Sequence, residues 1–274
     1  MRNLLASNTH LLVGTATNVN SFRVINPSTL QLVATVKETP VPEQVVTMCH
    51  SALKSFKQTT PAFRRSLLND LSSLILKNRN SLAEIMTDES GKPLTESKGE
   101  INYAVSFLKY YADPSNFPSG RTIEATPSPF PGKNTLLVQK QCVGVCGFIT
   151  PWNFPISMIT RKLAPAIMMG SPCVLKPSEL TPLIAIALEQ LAIEANFPPN
   201  TFRLILASKE KTPEVGKLLA VDSRVPKISF TGSTEVGKLL LKMSADSEIV
   251  KRVSLELGGA MNPAKLLQTG CILI

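Results

Sequence analysis

The stretch KISFTGSTEVGKLLL, residues 227–241, reads as a strand, a glycine turn and a helix in succession. A short β-branched and aromatic run comes first, and apolar residues recur at helical spacing from Val236 onward. Gly232 and Gly237 mark the turn between them. Such a turn directs unpaired backbone N–H groups and the positive end of a helix dipole at one point. The stretch therefore predicts a site for an anionic phosphate.

Two nucleotide chemistries fit this turn. Gly232 to Lys238 matches G-x-x-x-x-G-K, the start of a triphosphate-binding loop, but Leu239 stands where a Ser or Thr would ligate Mg²⁺. A dinucleotide-binding turn needs no such ligand. An ordinary turn before an amphipathic helix explains the same residues, so the rest of the chain must decide among the three.

Composition narrows the class of protein. The 274 residues are 43% hydrophobic and 18% charged, which is ordinary for a folded chain, and no apolar run is long enough to span a bilayer. The net charge of +9 is scattered without an aromatic-basic repeat, so a solvated basic surface is favoured over a nucleic-acid site. No membrane or nucleic-acid partner is therefore predicted.

Cysteine and histidine usage bears on compartment and metals. The chain has two histidines and five cysteines, an odd number without paired metal-ligand spacing, so no metal site is predicted. Buried thiols in a reducing compartment fit best. We predict the cytoplasm, with the mitochondrion as the alternative because residues 1–37 contain basic but no acidic residues.

The order of patterns along the chain predicts the fold class. Helical patterns fill residues 43–112, and a Pro-rich stretch at 114–133 excludes helix and predicts an extended arm. Beyond it, apolar β-rich runs alternate with helical patterns. This alternation predicts an α/β fold, a Rossmann-like parallel sheet with helices on both faces, plus an N-terminal helical layer. The predicted divisions are 1–113 (helical part), 114–133 (extended Pro-rich arm), 134–259 (Rossmann-like core) and 260–274 (divergent tail).

Four polar or Gly-rich turns follow the predicted strands: GFITPWNFP, VLKPSE, ISFTGS and SLELGG. In a parallel sheet all four would meet at one edge, where ligands bind. These motifs, PWNFP (151–155), VLKPSE (174–179), FTGSTEVGK (230–238) and LELGG (255–259), are in the order and at the spacing of the aldehyde dehydrogenase superfamily, which the chain resembles from about Asn26 to Gly259. Within that family, NPSTLQ and DESGKPLTESKGEINYA are most similar to the succinate-semialdehyde branch.

The resemblance implies an NAD(P)-dependent oxidation of an aldehyde to an acid, through a cysteine thiolate, hydride transfer to the nicotinamide and a glutamate-activated water. By this resemblance Asn153 would donate its side-chain amide to the oxyanion, and Glu256 would be the general base. Taken alone, Asn153 is a turn-forming residue and Glu256 a surface residue at a strand end. We expect partial burial beside Leu255 and Leu257 to make Glu256 a stronger base.

The resemblance also implies the cofactor and substrate contacts. Lys176 and Glu179 match positions that hold the adenosine ribose, where a carboxylate repels a 2′-phosphate and favours NAD over NADP. Gly232 and Ser233 would face the pyrophosphate. Arg161 matches the position that recognises the carboxylate of a small aldehyde, although a solvated helix Arg explains it equally. The full set of implied cofactor contacts is Thr150, Pro151, Trp152, Lys176, Ser178, Glu179, Phe230, Gly232, Ser233, Val236, Gly237 and Leu257.

After Gly259 the chain reads AMNPAKLLQTGCILI, where the family would continue to its catalytic cysteine. We therefore expect a chain truncated before that cysteine and catalytically incomplete. Cys271 is expected to be a chance thiol rather than the nucleophile, because its order and spacing differ from the family's. The alternatives are a non-catalytic NAD-binding fragment that associates with full-length subunits and, more distantly, a phosphate-loop nucleotide hydrolase.

Overall fold

The structure is a computed structural model that describes residues 20–117, 120–124 and 135–258. Its helices are α1 (Pro42–Phe56), α2 (Pro61–Lys77), α3 (Arg79–Ser90), α4 (Leu94–Ala112), α5 (Pro155–Met168), α6 (Leu183–Glu194), α7 (Thr212–Val221) and α8 (Thr234–Ala245). Its strands are β1 (Ser21–Ile25), β2 (Leu32–Lys37), β3 (Arg121–Glu124), β4 (Thr135–Val138), β5 (Cys146–Ile149), β6 (Cys173–Lys176), β7 (Phe202–Leu204), β8 (Lys227–Gly232) and β9 (Arg252–Leu257). None of the helices described is long and apolar enough to cross a membrane.

Five strands form one parallel sheet in the order β7-β6-β5-β8-β9. The chain runs outward from β5 in one direction and then returns to its other side, so the strand order reverses between β5 and β8. At such a reversal, helices that leave on opposite faces open a crevice at the carboxyl edge. The predicted α/β class, with a parallel sheet and helices on both faces, is confirmed.

Alternating residues of β6 show how the two faces are covered. Leu175 packs in the largest core cluster, with residues of α2 to α6, while Val174 packs with residues of α1 and α7 on the other face. Both side chains are fully buried. A strand covered on both faces must be apolar throughout, which is why the β-rich runs lack a polar alternation.

The N-terminal segment contains a hairpin that the sequence did not reveal, because residues 1–113 were predicted as helical. Strands β1 and β2 pair antiparallel. Their turn is closed by Asn26, whose Oδ1 accepts from the N–H groups of Ser28 and Thr29 at 2.9 and 3.2 Å. The strands have five and six residues and no regular burial alternation, so their periodicity gives little signal.

The β-rich run at 136–149 is divided between two sheets. Strand β4 pairs antiparallel with β3, and β5 lies in the central sheet. Part of the predicted extended arm at 114–133 is thus strand β3, preceded by a short 3₁₀ turn at Pro114–Asn116. The rest of the arm after residue 124, the tail at 260–274 and Cys271 lie outside the described residues.

Candidate active site

A cleft of about 540 Å³ opens at the carboxyl edge of the sheet, where the strand order reverses. The turns after β5, β6 and β8 form it together with α7 and α8. Ten of the residues implied by the family motifs line this cleft: Thr150, Pro151, Trp152, Lys176, Ser178, Glu179, Phe230, Gly232, Ser233 and Val236. Helix α7 adds four that sequence reasoning missed, because they form no motif of their own: Thr212, Pro213, Gly216 and Lys217.

The turn between β8 and α8 has the geometry of an anion-binding helix start. Ser233 is the N-cap of α8, and its hydroxyl accepts from the N–H of Val236 at 3.3 Å. The ring of Phe230 lies so close to Gly232 that a Cβ on Gly232 would be 2.4 Å from its Cζ. The glycine is therefore required by a close approach to a buried ring. The Ser233 hydroxyl thus satisfies one of the N–H groups at the start of α8.

Gly237 and Leu257 lie against each other behind this turn rather than among the lining residues of the cleft. A Cβ on Gly237 would be 2.4 Å from Cδ2 of Leu257, so the missing side chain lets β9 approach α8. Their contact supports the position of α8 on the sheet. The implied direct contact of these two residues with a cofactor stays a prediction.

The turn after β6 carries a polar pair. Nζ of Lys176 lies 3.1 Å from Oε2 of Glu179, and the lysine side chain is only 3% exposed. Burial lowers the pKa of Lys176, while the neighbouring carboxylate opposes that shift. The carbonyl of Lys176 also accepts from the N–H of Thr150 at 3.2 Å, which joins this turn to the one after β5. The pair can offer a cation and a hydroxyl acceptor at one end of the cleft.

Asn153 lies in the turn between β5 and α5 and is exposed. Its Oδ1 accepts from the N–H of Phe154 at 3.0 Å, and its backbone carbonyl accepts from Nζ of Lys92 at 2.8 Å. Because Oδ1 is engaged by the backbone, Nδ2 is the end of the amide left to donate to a ligand.

Glu256 lies on the opposite face of β9 from the position we expected. Strand residues alternate between faces, so Leu255 and Leu257 point toward α8 while Glu256 points toward α5. The side chain of Glu256 is 40% exposed and lies 3.4 Å from Nη2 of Arg161. The hydroxyl of Thr231 donates to its other oxygen at 2.9 Å. Glu256 is thus partly buried, but its neighbours are the cations Arg161 and Lys162 rather than the two leucines that we expected.

Lys162 is a second cation beside this carboxylate and was not singled out from the sequence. Its Nζ lies 3.8 Å from Oε1 of Glu256 and donates to the hydroxyl of Ser229 at 2.9 Å. Burial lowers the pKa of Lys162 to about 8, and the adjacent carboxylate opposes the shift. Lys162 directly precedes the apolar run LAPAIM (163–168) within α5. A lysine next to such a run was the signal available in the sequence.

Arg161 and Lys162 line a groove of about 390 Å³ between α5 and the strands β8 and β9. The guanidinium of Arg161 lies over the ring of Phe107, 5.6 Å from its centroid. Glu256 lines the same groove, on the other face of the sheet from the 540 Å³ cleft. Over residues 20–117, 120–124 and 135–258, no group of three or more His, Cys, Asp or Glu side chains could hold a metal ion.

A sequence profile of the aldehyde dehydrogenase family matches residues 14–267. The chain is 43% identical over 240 residues to a succinate-semialdehyde dehydrogenase [NADP(+)] of Saccharomyces cerevisiae, covering 87% of this chain and 47% of that protein. It is 44% identical over 241 residues to a mitochondrial succinate-semialdehyde dehydrogenase of Rattus norvegicus, covering 87% and 45%.

The chain belongs to the aldehyde dehydrogenase family. Among solved structures, it resembles a betaine aldehyde dehydrogenase point mutant of Staphylococcus aureus in complex with NAD⁺, with a TM-score of 0.79 and 33% identity over 88% of this chain and 48% of that one. The resemblance stated from the motifs is thereby confirmed. This aldehyde dehydrogenase-family chain spans about half the length of the curated relatives described above.

Proposed function

We propose that the cleft at the carboxyl edge binds NAD, with NADP as the alternative, and that the chain contributes the cofactor-binding half of an aldehyde oxidation. The observation that carries the proposal is the convergence of three family turns on one cleft, with the N-terminus of α8 at one wall and the Lys176–Glu179 pair at another. The N-terminus of α8 suits a pyrophosphate, and the Lys176–Glu179 pair suits a ribose. Relatives that name NADP⁺ and NAD⁺ leave the choice between the two open.

The residues present fit a dinucleotide in a specific way. Gly232 has no side chain that would collide with the Phe230 ring, so the turn can keep its position against that ring at the wall of the cleft. Trp152 is 54% exposed on the cleft wall and offers an aromatic face. Bound there, the nicotinamide would accept the hydride from the substrate.

The proposed chemistry assigns separate tasks to Asn153 and Glu256. Nδ2 of Asn153 would donate to the substrate oxygen where negative charge develops. Glu256 would remove a proton from water. In this structure Arg161 lies 3.4 Å from Oε1 and Thr231 donates to Oε2, so loss of the Arg161 contact would leave Oε1 more open to a water molecule.

For the substrate, we propose a small aldehyde that carries a carboxylate, such as succinate semialdehyde. Arg161 presents a guanidinium in the open groove, and a substrate carboxylate would replace Glu256 as its partner. One binding event would then orient the substrate and release Glu256. Both consequences follow from the single contact between the two side chains.

The first test is a titration of the purified chain with NAD, followed by the fluorescence of Trp152, which is the sole tryptophan. We expect saturable quenching, and NADH formation is then measured after succinate semialdehyde is added to the same chain. Quenching without turnover would support the alternative of a non-catalytic NAD-binding fragment. No quenching, with the fold intact by circular dichroism, would contradict the proposal.

We further propose association with full-length subunits and a cytoplasmic location, with the mitochondrion as the alternative. Leu136 and Leu137 of β4 are 57% and 67% exposed, which suits burial by a partner. Buried free thiols at Cys49 and Cys173 suit a reducing compartment. Co-purification of tagged chain with a full-length subunit tests the first proposal, and imaging of a fluorescent fusion tests the second.

A further inference from the structure

The turn that carries Asn153 has few restraints of its own. Helix α5 begins at Pro155, which has no N–H, and its N-cap, Phe154, has no side chain that can cap. The N–H groups of Ile156 and Ser157 therefore need partners from elsewhere, because both residues are fully buried. In the turn itself, Trp152, Asn153 and Phe154 are exposed, so burial does not hold them in place.

Glu100 of α4 supplies those partners. Its Oε1 accepts from the N–H groups of Ile156 and Ser157 at 3.1 and 3.2 Å, and its backbone carbonyl accepts from the Ser157 hydroxyl at 3.2 Å. The side chain is 1% exposed. A buried carboxylate thus caps α5 from a neighbouring helix and fixes the C-terminal side of the Asn153 turn.

Lys92, in the turn before α4, fixes the other side. Its Nζ donates to Oε2 of Glu100 and to the backbone carbonyl of Asn153, the latter at 2.8 Å. The same ammonium lies 4.9 Å from the centroid of the Phe154 ring. The lysine side chain is 16% exposed. One ammonium therefore joins the buried carboxylate, the Asn153 backbone and the adjacent ring.

We propose that Lys92 and Glu100 are positioning residues that hold the Asn153 amide in place for its role as oxyanion donor. The inference rests on the proposed function for that role, while the positioning itself is a property of the free chain. Neither residue reaches the cleft described above. Their contribution acts through the turn, where a displacement of about 1 Å can cost about 10²-fold in rate.

The test uses Trp152, the neighbour of Asn153 and the sole tryptophan, as a probe of the turn. Time-resolved fluorescence anisotropy is measured without cofactor on the wild type, Lys92→Met and the control Lys109→Met, which removes an exposed lysine of α4. We expect the amplitude of nanosecond depolarisation to rise about twofold in Lys92→Met and to stay unchanged in Lys109→Met. A merely stabilising role would lower the unfolding midpoint without changing this native-state motion.

Amide hydrogen exchange separates the two positioning residues. Glu100→Gln should increase the exchange rate of the Ile156 and Ser157 amides. Lys92→Met should leave these amides protected and increase only the motion of the turn that carries Trp152. The double variant, Lys92→Met with Glu100→Gln, leaves no unpaired buried charge, and the same faster depolarisation is expected. Depolarisation equal to the wild type in folded Lys92→Met or in the double variant would overturn the inference. Failure of NAD to quench Trp152 would instead overturn the proposed function and leave this comparison intact.

Discussion

At the residue scale, the proposed ribose position makes Glu179 the residue expected to set the cofactor preference, because its carboxylate lies beside Lys176. A 2′-phosphate would be repelled by the carboxylate and attracted by the ammonium. We expect Glu179→Gln to tighten NADP binding about tenfold and to change NAD binding less. Dissociation constants from Trp152 quenching measure both. An unchanged NADP-to-NAD ratio would refute the ribose assignment.

Gly232 and Gly216 both line the cleft but differ in the space beside them. A Cβ on Gly232 would be 2.4 Å from the Phe230 ring, whereas one on Gly216, within α7, would be 3.7 Å from Leu240. Gly232→Ala should therefore lower stability by about 1–3 kcal/mol and abolish NAD quenching. Gly216→Ala should be neutral or stabilising by up to about 1 kcal/mol. Chemical unfolding followed by circular dichroism tests the pair, and equal effects would contradict the predicted crowding.

The sequence predicted site residues where a motif marks a strand end, and missed those whose role depends on tertiary contacts. Trp152 and Ser233 follow strands, so their place at the sheet edge could be inferred before the structure. Lys92 and Glu100 meet the Asn153 turn only because α4 packs against α5. For Glu256 the strand position was right and the environment wrong, because strand alternation places it among cations rather than leucines.

At the scale of elements, α5 and α6 are both capped by a carboxylate from another helix. Each begins without a side-chain cap, and each has its first N–H groups held by a buried carboxylate from the helical layer, Glu100 for α5 and Glu89 for α6. Both capped helices follow turns of the proposed site. The helical layer thereby fixes the two turns on one side of the sheet.

Glu89 makes this capping sensitive to pH. Its carboxylate accepts from the N–H groups of Leu183 and Ile184 at 2.7 and 3.0 Å, yet complete burial raises its pKa from 4.5 to about 8. The folded state then binds the proton more tightly than the unfolded state. The associated stability is fully present below pH 4.5 and is lost as pH rises toward 8.

We therefore expect the stability of the wild type relative to Glu89→Gln to fall by a few kcal/mol between pH 5 and pH 8, because glutamine does not titrate. Glu96→Gln, an exposed position on α4, serves as the control and should follow the wild type at every pH. Urea unfolding at several pH values supplies the free energies. Parallel curves for wild type and Glu89→Gln would show that Glu89 stays ionised in the folded protein.

Element types were predictable where periodicity runs long and uncertain where strands are short. The four helices between residues 42 and 112 occupy the stretch at 43–112 that was predicted to be helical. The hairpin of β1 and β2 went unseen, and the run at 136–149 was not divided into β4 and β5. A strand of four to six residues is defined by its pairing partner, which local sequence does not contain.

For the molecule as a whole, the largest core cluster contains residues from both sides of the boundary predicted near residue 113. It joins Leu71 of α2 to Leu175 of β6, and both side chains are fully buried. A cluster shared by the helical layer and the sheet should make the two unfold together. We therefore expect the division predicted near residue 113 to mark a change of sequence pattern, without independent stability on either side.

We expect Leu71→Ala, in the helical layer, to lower stability by about 2–5 kcal/mol and to shift two probes equally. Far-UV circular dichroism reports all helices, and Trp152 fluorescence reports the sheet edge distant in sequence from the mutation. Leu137→Ala, at a side chain that is 67% exposed on β4, should change the free energy of unfolding by less than about 0.5 kcal/mol. If Leu71→Ala moved the circular dichroism midpoint and left the Trp152 midpoint unchanged, the layer and the sheet would be separate folding units. Coincident shifts would mean that a core mutation in the layer destabilises the cleft at the sheet edge through the shared cluster, although the mutated residue does not line that cleft.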